Sequence, residues 1–584
     1  MRVADLIVEY LAKAGVEHVF TVCGGGAIFL CDALAKSKIK YVSCHHEQAA
    51  TMAAEGYARV RNGLGAVFVT SGPGGTNTVT GVTGAWTDHV PMIVISGQSF
   101  LNQTIGDTGV RTLGVQEINI VDIVRPVTKY AEMVRHPELI RWHLEKAIHL
   151  ATTGRPGPVW LDIPADVQNM QAGPQIIEYL PPKIDEQCDV SGVIELLREA
   201  KRPLVHVGQG VRIAGAIEEL FAFLKATRIP VLTARNGNDL IASDHELFIG
   251  RPGTFAQRGA NFAVQTCDAY LAIGTRLCLA QTGYNAKDYA RNAKIVMVDV
   301  DSAELNKGTV PIDLRIKADA RVFLNAFLDQ TKDVRWPDWY PWLSRCKEWQ
   351  RRYPPVTQEQ RTQARYVNSY HLVDELSEAL TPGDVIVTDM GFAFQNTHQA
   401  FRVKQGQRLF TNGGTAAMGW GLPAAIGAAV GSGRRVICIA GDGGLMMNVQ
   451  ELATLAHHGL PVKLFVLNNG GYLTMRQSQK NAFDSYMGSD QSSGLSFPDF
   501  HMLAGAFGID YLLMSRSRTV DAAIEMALST DRPMLCEVMM DPEQEQVPKS
   551  INRREADGSI RQTAIEDAYP FLDPQEIEEN LRIA

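Results

Sequence analysis

The residues best able to do chemistry sit at the ends of two apolar runs. Residues 436–440 (VICIA) lead into Gly441-Asp442-Gly443-Gly444, and residues 464–467 (LFVL) lead into Asn468-Asn469-Gly470-Gly471. Each run has the length and composition of a buried parallel strand. Neighbouring parallel strands bring their C-terminal ends together. Asp442, Asn469 and the Gly471 carbonyl then converge as one carboxylate, one amide oxygen and one carbonyl. That hard, all-oxygen set suits Mg²⁺ that also keeps phosphate oxygens and water. Gly441, Gly443 and Gly444 let the backbone approach a diphosphate, and the helix that follows (LMMNVQELATLAHH) offers its N-terminus to the same anion. Taken alone, a strand–GDGG–helix segment also reads as a tight turn. The second strand end, 24 residues on, is what sharpens it into a metal–diphosphate site.

A second acid stands where a strand, residues 41–44, runs into a helix around 49–61: His45-His46-Glu47-Gln48-Ala49-Ala50. By itself Glu47 is a helix-start acid, favourable with the helix dipole. Further punctuated segments are Ser71-Gly72-Pro73-Gly74-Gly75-Thr76-Asn77, residues 91–98 (PMIVISGQ), Gln116-Glu117, and Ala417-Met418-Gly419-Trp420-Gly421-Leu422-Pro423.

Together these segments resemble the thiamine-diphosphate enzymes, in the same order and over nearly all of residues 1–545. The GDGG…NN pair is similar to their metal–diphosphate motif, and HEQ-A to the acetolactate-synthase and decarboxylase branch. The resemblance implies Asp442, Asn469 and Gly471 as ligands of Mg²⁺, with Gly441, Gly443 and Gly444 along the diphosphate. It implies Pro73, Asn77 and Met418 as further cofactor-binding residues, the methionine wedging the cofactor into a V. Glu47 and Gln116 are implied as catalytic residues. Glu47 would hydrogen-bond the pyrimidine N1′, work that needs a carboxylic acid able to pass its proton both ways in a dry site. The resemblance also implies a homo-oligomer, at least a dimer, in which Glu47 of one chain serves Asp442 of another. A degenerate binding module should have lost one of Glu47, Asp442 and Asn469; all three are present.

Within the family the chain looks most like the acetolactate-synthase large subunit, which decarboxylates pyruvate and adds the resulting hydroxyethyl carbanion to a second 2-oxo acid. Two departures bear on the acceptor. The family's acceptor arginine, after a G-x-R-F segment, falls at Ala280 in Gly274-Thr275-Arg276-Leu277-Cys278-Leu279-Ala280, and its pocket tryptophan falls at Ser478. Alanine cannot clamp a carboxylate as a guanidinium does. With an insertion at 107–113 and a tail carrying Pro548-Lys549 and Pro570-Phe571-Leu572, the sequence is similar to a subgroup that acts on nucleotide-linked keto-deoxysugars. That acceptor leads, with acetolactate formation and a lyase releasing its product as alternatives. Arg111, Arg476 and Lys549 are candidate phosphate partners. Plain pyruvate decarboxylase is disfavoured, because no His-His pair follows Gln98. FAD is left open for the central unit, on Gly208-Gln209-Gly210, since a lone GxG is weak.

These residues need a scaffold of alternating strands and helices. Helix 3–14 and strands 18–22, 41–44, 66–70, 92–96 and 158–164 predict an α/β unit over 1–165. Strands 203–207, 269–273 and 295–299 predict a central unit over 190–330, and strands 385–388, 436–440, 464–467 and 534–538 a third over 366–545. The expected fold is α/β, three doubly wound parallel sheets. A linker at 166–190, a connecting helix within 331–365 and a tail at 546–584 complete it. The 584 residues carry a net charge of −8, which gives no nucleic-acid footprint. Nine dispersed cysteines without a CxxC pair argue against a disulfide framework or a zinc site. With neither a signal peptide nor a long apolar span in view, a cytoplasmic protein with small-molecule partners, and no membrane contact, is expected.

Overall fold

The computed structural model describes residues 1–175, 177–182, 187–554 and 557–582. Three six-stranded sheets organise the chain, and every pairing within them is parallel. The first contains β1 (His18–Thr21), β2 (Lys40–Ser43), β3 (Gly65–Val69), β4 (Met92–Gln98), β5 (Tyr130–Met133) and β6 (Pro158–Pro164), in the order β2-β1-β3-β4-β6-β5. The central sheet contains β7 (Pro203–Val207), β8 (Val231–Thr233), β9 (Phe248–Gly250), β10 (Ala269–Ile273), β11 (Lys294–Asp299) and β12 (Leu314–Lys317), ordered β12-β11-β10-β7-β8-β9. The third contains β13 (Val385–Thr388), β14 (Arg408–Phe410), β15 (Val436–Gly441), β16 (Val462–Asn468), β17 (Asp510–Met514) and β18 (Met534–Met539), ordered β14-β13-β15-β16-β18-β17. This is the expected α/β, doubly wound architecture.

The first and third sheets reverse their strand order at the β6–β5 and β18–β17 edge, and each sheet reverses at an inner point, between β1 and β3, between β7 and β10, and between β13 and β15. The connections leave in opposite directions there and open a crevice at the strand ends. The glycines show how closely the loops meet. A Cβ on Gly24 would lie 2.5 Å from Thr70, and one on Gly208 would lie 2.4 Å from the Gly274 carbonyl.

The first and third sheets are joined by two helices rich in small residues, Glu47–Arg61 and Gly421–Ser432. Their backbones touch: a Cβ on Gly56 would sit 2.2 Å from the Ala424 carbonyl oxygen, and one on Gly427 1.8 Å from that of Ala53. A buried polar knot locks the pair. Arg59 donates to Glu55 at 2.7 Å and to Asp88 at 2.6 Å, and Trp420 donates its indole N–H to Glu55 at 2.8 Å.

Two expectations are corrected. The tryptophans of 331–365 do not form a mere connector. The expected helix is Tyr340–Arg352, and Trp342 and Trp349 on it, with Trp339 just before it, are buried in the core of the central sheet, because three indoles have too much apolar area to leave in solvent. The 166–190 linker begins with a helical turn, Ala165–Asn169; residues 176 and 183–186 lie outside the described residues. The tail folds back on the central sheet. Arg258 donates to the Ala568 and Pro570 carbonyls, Arg291 pairs with Glu566 at 2.7 Å, and Trp349 donates to Asn580 at 2.8 Å. Among the described residues no helix is long and apolar enough to cross a membrane.

Candidate active site

β15 and β16 pair in register from Val436↔Val462 to Gly441↔Leu467, so Asp442 and Asn469 emerge side by side. The Asp442 carboxylate is buried at 1 % exposure. One oxygen accepts the Gly443 N–H at 2.7 Å; the other accepts the N–H groups of Asn469 at 3.1 Å and Gly471 at 3.0 Å. Burial drives its pKa up to about 6, and these N–H groups pull against that rise. The sequence put the Gly471 carbonyl into the ligand set. In the structure Gly471 meets Asp442 through its N–H, while its carbonyl accepts from the Leu473 N–H at 3.1 Å.

Arg476 is buried at 4 % exposure and donates to both the backbone and the side-chain oxygen of Asn469, at 3.1 and 2.9 Å, and to the Pro542 carbonyl at 2.9 Å. It was expected to wait for a phosphate; here its guanidinium fixes the Asn469 amide so that Oδ1 faces the arginine. Gly471 makes room for it, since a Cβ there would lie 2.4 Å from Arg476 Nη1. Among the described residues no three His, Cys, Asp or Glu side chains cluster for a metal. A cation here depends on one carboxylate and neutral oxygens, the set that fits Mg²⁺ shared with a diphosphate. Asn469 Oδ1 keeps a lone pair for it beside the Arg476 bond.

Two glycines of the motif, Gly443 and Gly444, are spatial necessities. A Cβ on Gly443 would strike the Tyr472 ring at 2.2 Å, and one on Gly444 would lie 2.3 Å from the Asp389 carboxylate. Gly441 has open space around its Cβ position. The sequence reading did not single out Asp389. It directly follows β13, is fully buried, accepts the Gly419 N–H at 3.1 Å, and has its pKa raised to about 6 by that burial. It therefore holds the turn next to Met418, whose side chain is 38 % exposed. A signal was available: Asp389 stands at the end of an apolar strand, as Asp442 does.

On the first sheet, Glu47 opens the helix Glu47–Arg61 and accepts a hydrogen bond from Asn77 Nδ2 at 2.9 Å. Asn77 follows the turn at Pro73, which begins the helix Pro73–Thr76. Gln116 is exposed at positive φ, and its carbonyl lies 2.6 Å from where a Gly72 Cβ would be. Glu47, Pro73, Asn77 and Gln116 thus share one end of the first sheet. Glu117, also missed as a structural residue, is buried and accepts N–H groups from Ile105 and Leu113, pinning the 107–113 insertion. Within one chain no described hydrogen bond links Glu47 to Asp442 or Asn469. The His45 N–H donates to Glu451 at 3.0 Å, tying the Glu47 turn to the third unit at another point.

At the central switch point a cavity of about 330 Å³ lies between all three units, reaching Thr87 on the first, Gly208 and Ala280 on the second, and Gly413 and Gly414 on the third. Ser478, the other departure, is exposed. Lys549 is paired through its backbone with Tyr569 and Arg111 is exposed, so neither joins Asp442 among the described contacts.

Comparison with known proteins agrees with this arrangement. Residues 1–122 match the family described as thiamine pyrophosphate enzyme, N-terminal TPP binding domain; 190–327 match its central domain and 389–538 its C-terminal TPP binding domain. The chain is 33% identical over 558 residues to a probable acetolactate synthase large subunit of Methanocaldococcus jannaschii, covering 93% of this chain and 92% of that one. It is 32% identical to the acetolactate synthase isozyme 2 large subunit of Escherichia coli, with 93% and 96% covered. It is 35% identical to acetolactate synthase 1, chloroplastic, of Zea mays, with 93% and 86% covered.

Proposed function

The chain belongs to the thiamine pyrophosphate enzymes, of the acetolactate-synthase type, and on that premise we propose that it joins two carbonyl compounds. A 2-oxo acid such as pyruvate loses CO₂, and the two-carbon acyl-anion equivalent left behind attacks the carbonyl carbon of an acceptor. The new bond is C–C; the displaced electron pair goes to the carbonyl oxygen, which takes a proton. Thiamine diphosphate, when bound, supplies the carbon acid that stores the electron pair between the two halves. The observation that carries the reading is the convergence of Asp442, Asn469 and Gly471 at the switch point of the third sheet.

Asp442, Asn469 and Gly471 would hold Mg²⁺, with Gly441, Gly443 and Gly444 along the diphosphate. Glu47 would hold a proton at the pyrimidine ring, oriented by Asn77. Met418 would support the ring from the third unit, with Pro73 and Gln116 bordering the pyrimidine end. The site is completed by a second copy of the chain. Exposed apolar side chains beside both halves support this: Leu113 and Val115 next to Gln116, and Met447, Met475 and Met487 near the metal turn. The reading divides the chain at 1–165, 190–330 and 366–545 with a tail at 546–584, which the limits of the three sheets support. Nine unpaired cysteines support a reducing, cytoplasmic setting.

For the acceptor, small Ala280 on the cavity and exposed Ser478 support a molecule bulkier than a 2-oxo acid, the keto group of a nucleotide-linked deoxysugar. The names of the relatives support acetolactate formation instead. FAD would lie in the same cavity, at the ends of β7, β10 and β11, where parallel sheets bind nucleotides. At about 330 Å³ the cavity is near the lower limit for such ligands, which weighs against a full dinucleotide. Mass spectrometry of products from pyruvate, Mg²⁺ and thiamine diphosphate, with and without nucleotide-linked 4-keto sugars, tests the reading. An acetyl-branched sugar supports the sugar acceptor; acetolactate regardless of sugar supports the second reading; neither product, with CO₂ released, leaves a lyase.

A further inference from the structure

The central cavity holds a cation that the protein itself leaves unmatched. Three arginines line it. Arg155 pairs with Asp299 at 2.6 Å and Asp301 at 3.0 Å, and Arg276 pairs with Glu304 at 2.8 Å. Arg235, which follows β8, forms no ion pair among the described residues. Its guanidinium donates to the Ala280 carbonyl at 3.2 Å and lies over the Phe394 ring at 5.4 Å. His398 also stacks on that phenyl ring and is fully buried, and burial pushes its pKa well below the ordinary value. The neighbouring Asn236 has a buried Oδ1 with no partner. A guanidinium carries five donors, and one carbonyl with one aromatic face leaves most of them unused. The Arg235 side chain is part-buried in the cavity wall, and a guanidinium there without a counter-ion is a ready partner for an entering anion.

We propose that Arg235 is the anion-binding residue of this cavity, placed to take the carboxylate or phosphate of the molecule that enters beside Ala280. The position at 280, where the resemblance expects an arginine, is occupied by a methyl group; the guanidinium comes from another strand end and reaches the backbone of that same position. The cavity also touches the third unit at Gly413, whose Cβ position is 3.4 Å from Asn236 Nδ2. Only the identity of the anion rests on the ligase reading.

The test is saturation-transfer NMR on the EDTA-treated full chain without thiamine diphosphate, so that pyruvate cannot react. Pyruvate and ADP are the two probes. At least one should receive saturation from the wild-type protein. In R235M its binding should weaken about ten- to hundred-fold, the loss of charge-assisted hydrogen bonds. A280D keeps Arg235 but supplies an internal carboxylate, and should abolish the same signal even if R235M folds poorly. Loss of the pyruvate signal alone identifies a carboxylate ligand, loss of the ADP signal alone a phosphate. No signal from either probe with the wild type, or signals unchanged in both variants, overturns the proposal. Failure of the wild type to release CO₂ from pyruvate with thiamine diphosphate and Mg²⁺ would sink the ligase reading and leave the binding result standing.

Discussion

Replacing Arg59 by Met should cost more stability than any other single truncation at the junction between the first and third units. Arg59 is 1 % exposed at its side chain and neutralises Glu55 and Asp88, themselves 0 % and 5 % exposed. Methionine fills much of the volume but removes three hydrogen bonds and the positive charge between two buried carboxylates. Removing one partner of a buried ion pair costs about 3–5 kcal/mol. At roughly 2–4 °C per kcal/mol, that is a fall of about 6–20 °C in thermal midpoint. The sign with pH is distinctive. Burial already raises the pKa of Glu55, and Arg59 opposes that rise. Without the arginine the folded pKa climbs further above the unfolded value, so the protonated form becomes the stable one. The variant should be nearest to wild type at pH 5 and fall away as the pH rises to 8. Adding Glu55→Gln should recover part of the loss at pH 8. The assay is thermal unfolding by circular dichroism at both pH values. A deficit below about 1 kcal/mol, or one equal at pH 5 and 8, would refute the argument that these carboxylates depend on Arg59.

Other outcomes follow from the same geometry. Glu47→Gln keeps an oxygen for Asn77, so it should fold and retain cofactor while turnover drops about 10²–10⁴-fold; undiminished turnover would dismiss the proton role. Mg²⁺ affinity, measured by calorimetry with thiamine diphosphate present, should be flat above the Asp442 pKa of about 6 and fall roughly ten-fold per pH unit below it, since proton and cation compete for one carboxylate. A slope persisting in Asp442→Asn would deny that role. Asp389 has its pKa raised from 3.8 to about 6, so its stabilising contribution is complete below 3.8 and lost as the pH rises to 6. Asp389→Asn should therefore flatten the stability profile of the cofactor-free protein between roughly pH 4 and 6 in urea titrations; an unchanged profile would place that titration elsewhere. Gly444→Ala pushes a methyl group against the buried Asp389 carboxylate and should lower both the melting temperature, by an overpacking cost of about 1–3 kcal/mol, and the affinity for thiamine diphosphate; a variant equal to wild type in thermal unfolding and fluorescence titration would show that the turn gives way freely.

What the sequence determined by itself is the central scaffold and the motif at its strand ends. β3, β4, β6, β7, β10, β13, β15 and β18 are buried along nearly their whole length, and a strand covered on both faces must be written as a continuous apolar run. Asp442 and Asn469 were legible because glycines and polar residues end two such runs abruptly. Of the edge strands, β2 was legible as the strand at 41–44, but β12 and β17 were not: they bury only one residue each, so no apolar run or period marks them. Only the tertiary structure could decide the rest, because those relations join residues far apart in the chain. It set the Gly471 N–H on the Asp442 carboxylate, turned Arg476 from a free cation into the residue that orients Asn469, and folded three tryptophans of the connecting segment into the central core. It also put Arg235 against the backbone of Ala280, 45 residues away. Residue type and spacing report what a strand end can do; which charges are paired depends on through-space distance, and that is fixed only when the sheets pack together.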